Sequence, residues 1–163
     1  MDLAKAARDP WVWGQLTLFL VIGAAAPLLP RHLNLGGADF MLNRLDPLWI
    51  RGLGMGLLAF GAVVAAWGIR SLGHSLTPGT EPLASGDLVT TGAYAHIRHP
   101  IYAGVVLLLA GYTLAWSNWT LALLFGFVAL KFFQAKAGVE ERLMSRRFPL
   151  YATYMRQVPR QVL

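Results

Sequence analysis

The stretch Val89-Thr-Thr-Gly-Ala-Tyr-Ala-His-Ile-Arg-His-Pro-Ile-Tyr-Ala-Gly104 decides the fold. It sets five polar or ionisable side chains (Tyr94, His96, Arg98, His99 and Tyr102) against the start of a long apolar run. Proline suits the first turn of a helix, where its missing N–H removes no hydrogen bond. Pro100 therefore reads as an early residue of a helix that enters lipid, with His99 at or near its cap. A helix N-terminus carries partial positive charge and free N–H groups, so it favours anionic groups. The acids that answer it are Glu140-Glu141, at the far end of the next apolar segment. An antiparallel hairpin is expected to return them to the same membrane face.

Composition agrees with a membrane setting. The 163 residues are 56% hydrophobic and 13% charged, with a mean hydropathy of +0.50, whereas soluble domains carry about a quarter charged residues. The length fits one domain. No cysteine is present, which excludes disulfides, thiolate catalysis and cysteine metal sites. The net charge of +6 reads as a topology signal and a contact for anionic headgroups. Nucleic acid is not an expected partner, because no basic run is interleaved with aromatics.

Outward from the stretch, residues 101–116 form the third of four expected spans. Ser117-Asn118 makes a turn flanked by Trp116 and Trp119, as in an interfacial aromatic belt. Residues 119–133 begin the fourth span, and the helical pattern runs on through Lys136, Glu140 and Leu143 as a polar extension. Residues 70–99, with Pro78, Gly79, Pro82 and Gly86, form a folded-back loop; a connection of this length is more often functional than passive. Residues 48–69 are the second span, with Arg51 snorkelling at its start and glycines 52 and 56 at the spacing of close helix contact. Residues 30–47 form a loop. The uncharged run 11–29 is long enough for a first span. A cleaved leader is the rival reading there, given Ala24-Ala25-Ala26, and Pro27 disfavours it.

The turn between spans three and four has no basic residue, while Lys131 onward contains seven. The positive-inside rule then makes both termini and the 70–99 loop cytoplasmic, against the weaker count of Arg31 and Arg44. The expected location is integral to a membrane, that of a bacterial inner membrane.

Each polar residue also has a plainer reading. Glu140 and Glu141 would be a solvated helix surface, or an acidic pair that binds a cation or ammonium group. Arg98 would contact lipid, or hold a phosphate, carboxylate or headgroup. Tyr94 and Tyr102 would be interfacial anchors, and more so Tyr151 and Tyr154. His32 and His74 read as solvated. His96, His99 and Glu140 have the chemistry of a zinc or iron site, but the residue before proline avoids helical angles, which breaks the face they would share. No metal is expected. Phosphate-binding glycine loops and a nucleophile elbow are absent from the sequence.

Taken together, Leu88-Val-Thr-Thr-Gly-Ala-Tyr-x-x-x-Arg-His-Pro-x-Tyr-x-Gly104, Glu140-Glu-x-Leu143, Phe148, Tyr151, Tyr154 and Val158-Pro159-Arg160 resemble the isoprenylcysteine carboxyl methyltransferase family, across roughly residues 70–160. Phospholipid N-methyltransferases and small thiol S-methyltransferases are related. The resemblance implies an all-α integral membrane protein of about four transmembrane helices. A cytoplasmic cofactor loop and a C-terminal helical extension complete it. Residues 1–163 would form one membrane domain, with two N-terminal spans in 1–69 and the methyltransferase core in 70–163. It implies S-adenosyl-L-methionine as donor, bound by Leu88, Val89, Tyr94, His99, Pro100, Ile101, Tyr102, Glu140 and Glu141.

Arg98, Lys136 and Glu140 are the candidate catalytic residues, Arg98 or Lys136 orienting an anionic acceptor. Lys136 stands where the family's prenylcysteine enzymes place an arginine, and lysine lacks that bidentate fork. Phe148-Pro149 replaces the usual Phe-Gly. Aromatic faces suit a cationic donor. The acceptor would be a small or lipid-like molecule methylated on oxygen, nitrogen or sulfur. Two other functions fit less of the pattern: an NADPH-dependent membrane reductase related to sterol reductases, and a non-catalytic lipid-binding scaffold.

Overall fold

The computed structural model describes residues 7–28, 34–35, 38–39, 48–77, 79–83, 85–116 and 119–163. Helix α1 (Pro10–Leu28) is followed by a two-residue antiparallel ladder of β1 (Asn34–Leu35) and β2 (Ala38–Asp39). Then come α2 (Leu48–Leu72), 3-10 turns at Gly73–Ser75 and Gly92–Ala95, α3 (Pro100–Trp116), α4 (Trp119–Arg147) and α5 (Tyr151–Gln157). Apart from the small ladder, the described residues form an all-helical protein. Three helices are long and apolar enough to cross a membrane, and α3 is a shorter apolar helix beside them. At 1.5 Å per residue, the 29 residues of α4 extend about 44 Å, beyond a hydrocarbon core of about 30 Å. The helix is therefore longer than the hydrocarbon is thick, and its charged turns, which carry the two glutamates, are the part least suited to lipid.

Each of the four expected spans is a helix, α1 to α4, and three of them reach spanning length. α2 runs past residue 69 to Leu72, and α3 begins on Pro100 itself, with the His99 carbonyl accepting from the Ala103 N–H at 3.1 Å. His99 is thus the cap. The turn at 117–118, Arg31, His32, Arg44 and most of the 30–47 loop lie outside the described residues.

The tightest packing is between α2 and α3, and glycine makes it. Gly54, Gly61 and Gly68 recur every seven residues on α2; Gly54 and Gly61 face Gly111 and Gly104 on α3 in antiparallel register, and Gly68 meets Pro100 and Ile101. A Cβ on Gly61 would lie 2.5 Å from the Leu108 nitrogen and 2.6 Å from the Gly104 oxygen. Such contacts exclude any side chain, so the two backbones touch directly, as small residues permit between helices in lipid. The expected seam at Gly52 and Gly56 is corrected: a Cβ at either position meets nothing within 4 Å. Spacing of four is common along any glycine-rich helix, whereas partner contact follows the seven-residue seam.

α1 joins through a separate cluster. Ile22 packs with Val106, Leu109, Ala129 and Phe133 in the buried core, and the Tyr112 hydroxyl donates to the Gly23 carbonyl at 3.0 Å. The exposed apolar side chains of α1, α2 and α4, such as Leu20, Val63 and Leu123, face outward, as lipid contact requires.

Gly104→Ala should destabilise the fold by about 1–3 kcal/mol, since the helices must separate to admit the methyl group. Gly52→Ala should be neutral or mildly stabilising through helix propensity. Thermal unfolding in detergent checks the pair, and equal shifts would refute the seam.

Candidate active site

Four helix ends meet at one face: the start of α1, the end of α2, the start of α3 and the end of α4. The antiparallel α3–α4 hairpin brings the Arg-His-Pro segment against the glutamates. Arg98 Nε donates to Glu141 Oε1 at 2.8 Å, and its Nη1 donates to the Val158 carbonyl at 2.7 Å. The His99 ring lies between both acids, with Nε2 3.2 Å from Glu141 Oε1 and Nδ1 3.5 Å from Glu140 Oε2. The Tyr102 hydroxyl donates to Glu140 Oε1, and its ring stacks on His99 at 5.4 Å. Gln161 Nε2 adds a donor to Glu141 Oε2 at 3.2 Å. The side chains of Glu140 and Glu141 are 15% and 13% exposed. The reading of these acids as a solvated surface is therefore overturned.

The C-terminal tail completes the arrangement. The Arg98 and His99 N–H groups donate to the Arg160 and Gln161 carbonyls at 3.0 and 2.9 Å, and Val162 is buried beside Ala103 and Ala137. Tyr151 and Tyr154 form a buried cluster with Val158, so the interfacial reading of these tyrosines is corrected. The Tyr154 hydroxyl donates to the Tyr94 carbonyl at 2.7 Å. Burial pushes the Tyr154 phenol up to about 12, with Arg98 opposing and Glu141 reinforcing the rise. Burial raises Tyr94 and Tyr151 as well. His74 has a partner after all, at 3.3 Å from the Asp87 carboxylate, and is largely exposed.

A cavity of about 360 Å³ lies inside these elements, within the range of small-molecule sites, about 300–1,000 Å³. Leu88, Val89, Tyr94, Arg98, His99, Ile101, Tyr102, Lys136 and Glu140 line it. Pro100 and Glu141 stand behind the lining. Pro100 is buried at the helix start, while Glu141 braces Arg98 and His99. Lys136 is 1% exposed; its Nζ donates to Gln15 Oε1 at 2.9 Å and sits 5.2 Å from the Tyr102 ring centroid.

Sequence reasoning passed over Asp9, Gln15 and Thr80. Asp9 precedes Pro10, a pairing typical of a helix start, and Gln15 is a polar residue inside a span, which ordinarily faces the protein interior. Neither signal names a partner. Asp9 Oδ2 accepts from the Thr80 N–H at 2.6 Å and hydroxyl at 2.8 Å, and Oδ1 from the Trp11 N–H at 2.9 Å. Burial alone would raise the Asp9 carboxyl; the hydrogen bonds from Thr80 and Trp11 outweigh it and hold it below its ordinary value.

The sequence pattern of the phospholipid methyltransferase family matches residues 49–150. The chain is 31% identical over 124 residues to protein-S-isoprenylcysteine O-methyltransferase of Schizosaccharomyces pombe, a match covering 74% of this chain and 52% of that protein. It is 28% identical over 114 residues to protein-S-isoprenylcysteine O-methyltransferase B of Arabidopsis thaliana, covering 68% and 58%. Over 75 residues it is 33% identical to the nickel-cobalt-cadmium resistance protein NccN of Alcaligenes xylosoxydans xylosoxydans, covering 46% and 35%. The chain spans about half the length of the curated methyltransferases it matches.

Tyr154→Phe should cost about 1–3 kcal/mol by leaving the Tyr94 carbonyl buried without its donor. The Tyr154 phenol titrates near 12 against an ordinary 10.0, so its contribution to stability is complete below pH 10 and is lost as pH rises towards 12. Denaturation midpoints across that window should fall more steeply for the natural chain than for the phenylalanine variant. Parallel slopes would contradict the assignment.

Proposed function

The chain belongs to the phospholipid methyltransferase family, and from that premise we propose that it transfers a methyl group from S-adenosyl-L-methionine to a small or lipid-like acceptor, a carboxylate, amine or thiol. One observation carries the reading: the Glu140 carboxylate, mostly buried, faces a cavity that Tyr94 and Tyr102 also line. Tyr102 and His99 hold that carboxylate in place, and a carboxylate beside tyrosine rings suits a cationic ligand.

The residues fit such a donor. Glu140 would accept from its amino group or ribose, while Leu88, Val89 and Ile101 offer apolar walls for a flat base. When bound, the sulfonium supplies an electrophilic methyl group, and in-line displacement depends on alignment more than on acid–base help. Lys136, with Gln15 beside it, would orient an anionic acceptor. Arg98 already donates to Glu141 and the Val158 carbonyl; its part in this reading is to hold the α3 start, α4 and the tail in register. Pro100 fixes the helix start behind the lining, and Glu141 acts through Arg98 and His99.

In this reading the chain is one membrane domain. Residues 70–163 supply most of the cradle, and the two N-terminal spans add Gln15 and Ile69. Basic residues gathered at the cavity's end of the helices support a cytoplasmic orientation for that face and for both termini. A water-soluble donor would arrive from that side, and an apolar acceptor from lipid between the helices.

Calorimetry on the detergent-solubilised chain should detect binding of S-adenosylhomocysteine. Glu140→Gln should weaken it by roughly 10- to 150-fold, the loss of a charged hydrogen bond. Absence of binding to the natural chain, or binding of NADPH in its place, would overturn the reading.

A further inference from the structure

The loop between α2 and the Gly92–Ala95 turn is tied at its neck. Ser75 Oγ donates to the Asp87 carbonyl at 3.4 Å and accepts from the Asp87 N–H at 3.1 Å, beside the His74–Asp87 contact. Beyond the neck, Thr77, Gly79, Thr80, Pro82 and Leu83 line the cavity, in the manner of an Ω-loop closed over its own ends. The hydrogen bonds at Gly79 and Gly86 are internal, to Thr77 Oγ1 and the Leu83 carbonyl. Those at Thr80 reach outside the loop. Its N–H and hydroxyl both meet one oxygen of Asp9, 71 positions earlier.

Asp9 is held in turn. Its second oxygen takes the Trp11 N–H, and its carbonyl takes the Val12 N–H at 3.1 Å, which fixes it to the start of α1. α1 is docked through Ile22 and the Tyr112–Gly23 hydrogen bond. The loop's tip is therefore fastened to a packed helix rather than to another loop. Thr80 is 8% exposed, while Asp9 keeps part of its surface open. Hydrogen bonds to an ionised acceptor are roughly twice as strong as neutral ones. Asp9 also lies outside residues 49–150, where the family pattern matches.

We propose that Asp9 and Thr80 form a latch that holds this loop over the cavity, making Asp9 a positioning residue that sets how fast the methyl donor enters and leaves. The inference rests on the cavity being the donor's site. A charged, water-soluble donor has no route through lipid and must exchange at the aqueous face, which this loop covers. Loosening the latch speeds passage in both directions, so rates change more than affinity does.

Surface plasmon resonance of S-adenosylhomocysteine on the solubilised full chain tests it. Thr80→Val keeps the side chain's shape and removes the hydroxyl, and should raise association and dissociation rates about tenfold, with a smaller change in Kd. Asp9→Ala should do at least as much. Thr80→Ser should restore the natural rates. Amide exchange should rise in residues 79–83 and 85–88 of Thr80→Val while residues 100–116 keep their protection. Should Asp9→Ala fail to fold, Thr80→Val decides alone. Natural rates in Thr80→Val, or Thr80→Ser matching Thr80→Val, overturn the latch. A natural chain that binds no S-adenosylhomocysteine overturns the donor-site reading and the latch with it, an outcome distinct from binding at unchanged rates.

Discussion

Two carboxylates at the end of α4 have been taken largely out of water, and the rest of the site follows from that. An unpaired charge in such a place is expensive, and Coulomb attraction offsets the cost only when geometry and additional hydrogen bonds are good. Glu141 meets the condition through Arg98, His99 and Gln161. Glu140 meets it through Tyr102 and His99. The two acids are adjacent yet differ in surroundings. Glu141 is enclosed by protein donors and stands behind the cavity wall, whereas Glu140 is on the wall itself. One brace and one cavity-facing acceptor are what a site needs if it is to offer a carboxylate in fixed position.

That arrangement requires α3 to start and α4 to end at one level, which in turn depends on how α3 is seated. The glycine seam sets this. With Gly54 and Gly61 against Gly111 and Gly104, and Gly68 against the start of α3, α2 and α3 touch backbone to backbone and have little freedom to slide. In lipid, where apolar burial drives helix association weakly, contact of this closeness is a principal source of helix pairing. α1 is joined more loosely, through side chains and the hydroxyl of Tyr112, and reaches the site through Asp9 and Gln15.

Much of this was legible in the sequence. Hydropathy located the spans because lipid demands long uncharged runs, Pro100 pointed to the first turn of α3, and the shortness of the link between residues 116 and 119 implied the hairpin. What escaped was partner choice. Hydropathy reports lipid against water and not which face of a helix meets which neighbour, so Gly52 and Gly56 looked as good as Gly54 and Gly61. Tyr151 and Tyr154 looked interfacial because tyrosine near a membrane boundary commonly is, and the side chains that bury them, Leu88, Met144 and Phe148, lie outside their own short helix. The bonds from Arg98 and His99 to the Arg160 and Gln161 carbonyls engage main-chain acceptors, which every residue carries and no motif encodes.

The tail and α1 therefore stand differently to the site than the α2–α4 core does. Residues 49–150 match the family pattern and carry the cavity's charged pair, the Arg-His-Pro start and the glycine seam. The pieces added on either side, α1 before and Tyr151 to Val162 after, attach to that core by buried apolar contacts of Ile22, Tyr151, Tyr154 and Val162 and by hydrogen bonds to loop backbone and side-chain heads. Regions held by few buried apolar contacts open most readily, and the tie from Asp9 to the Thr80 loop is made by hydrogen bonds. A site whose donor must come and go gains from such a division, because the acids and the helix start remain fixed while the cover over them is fastened by bonds that break one at a time.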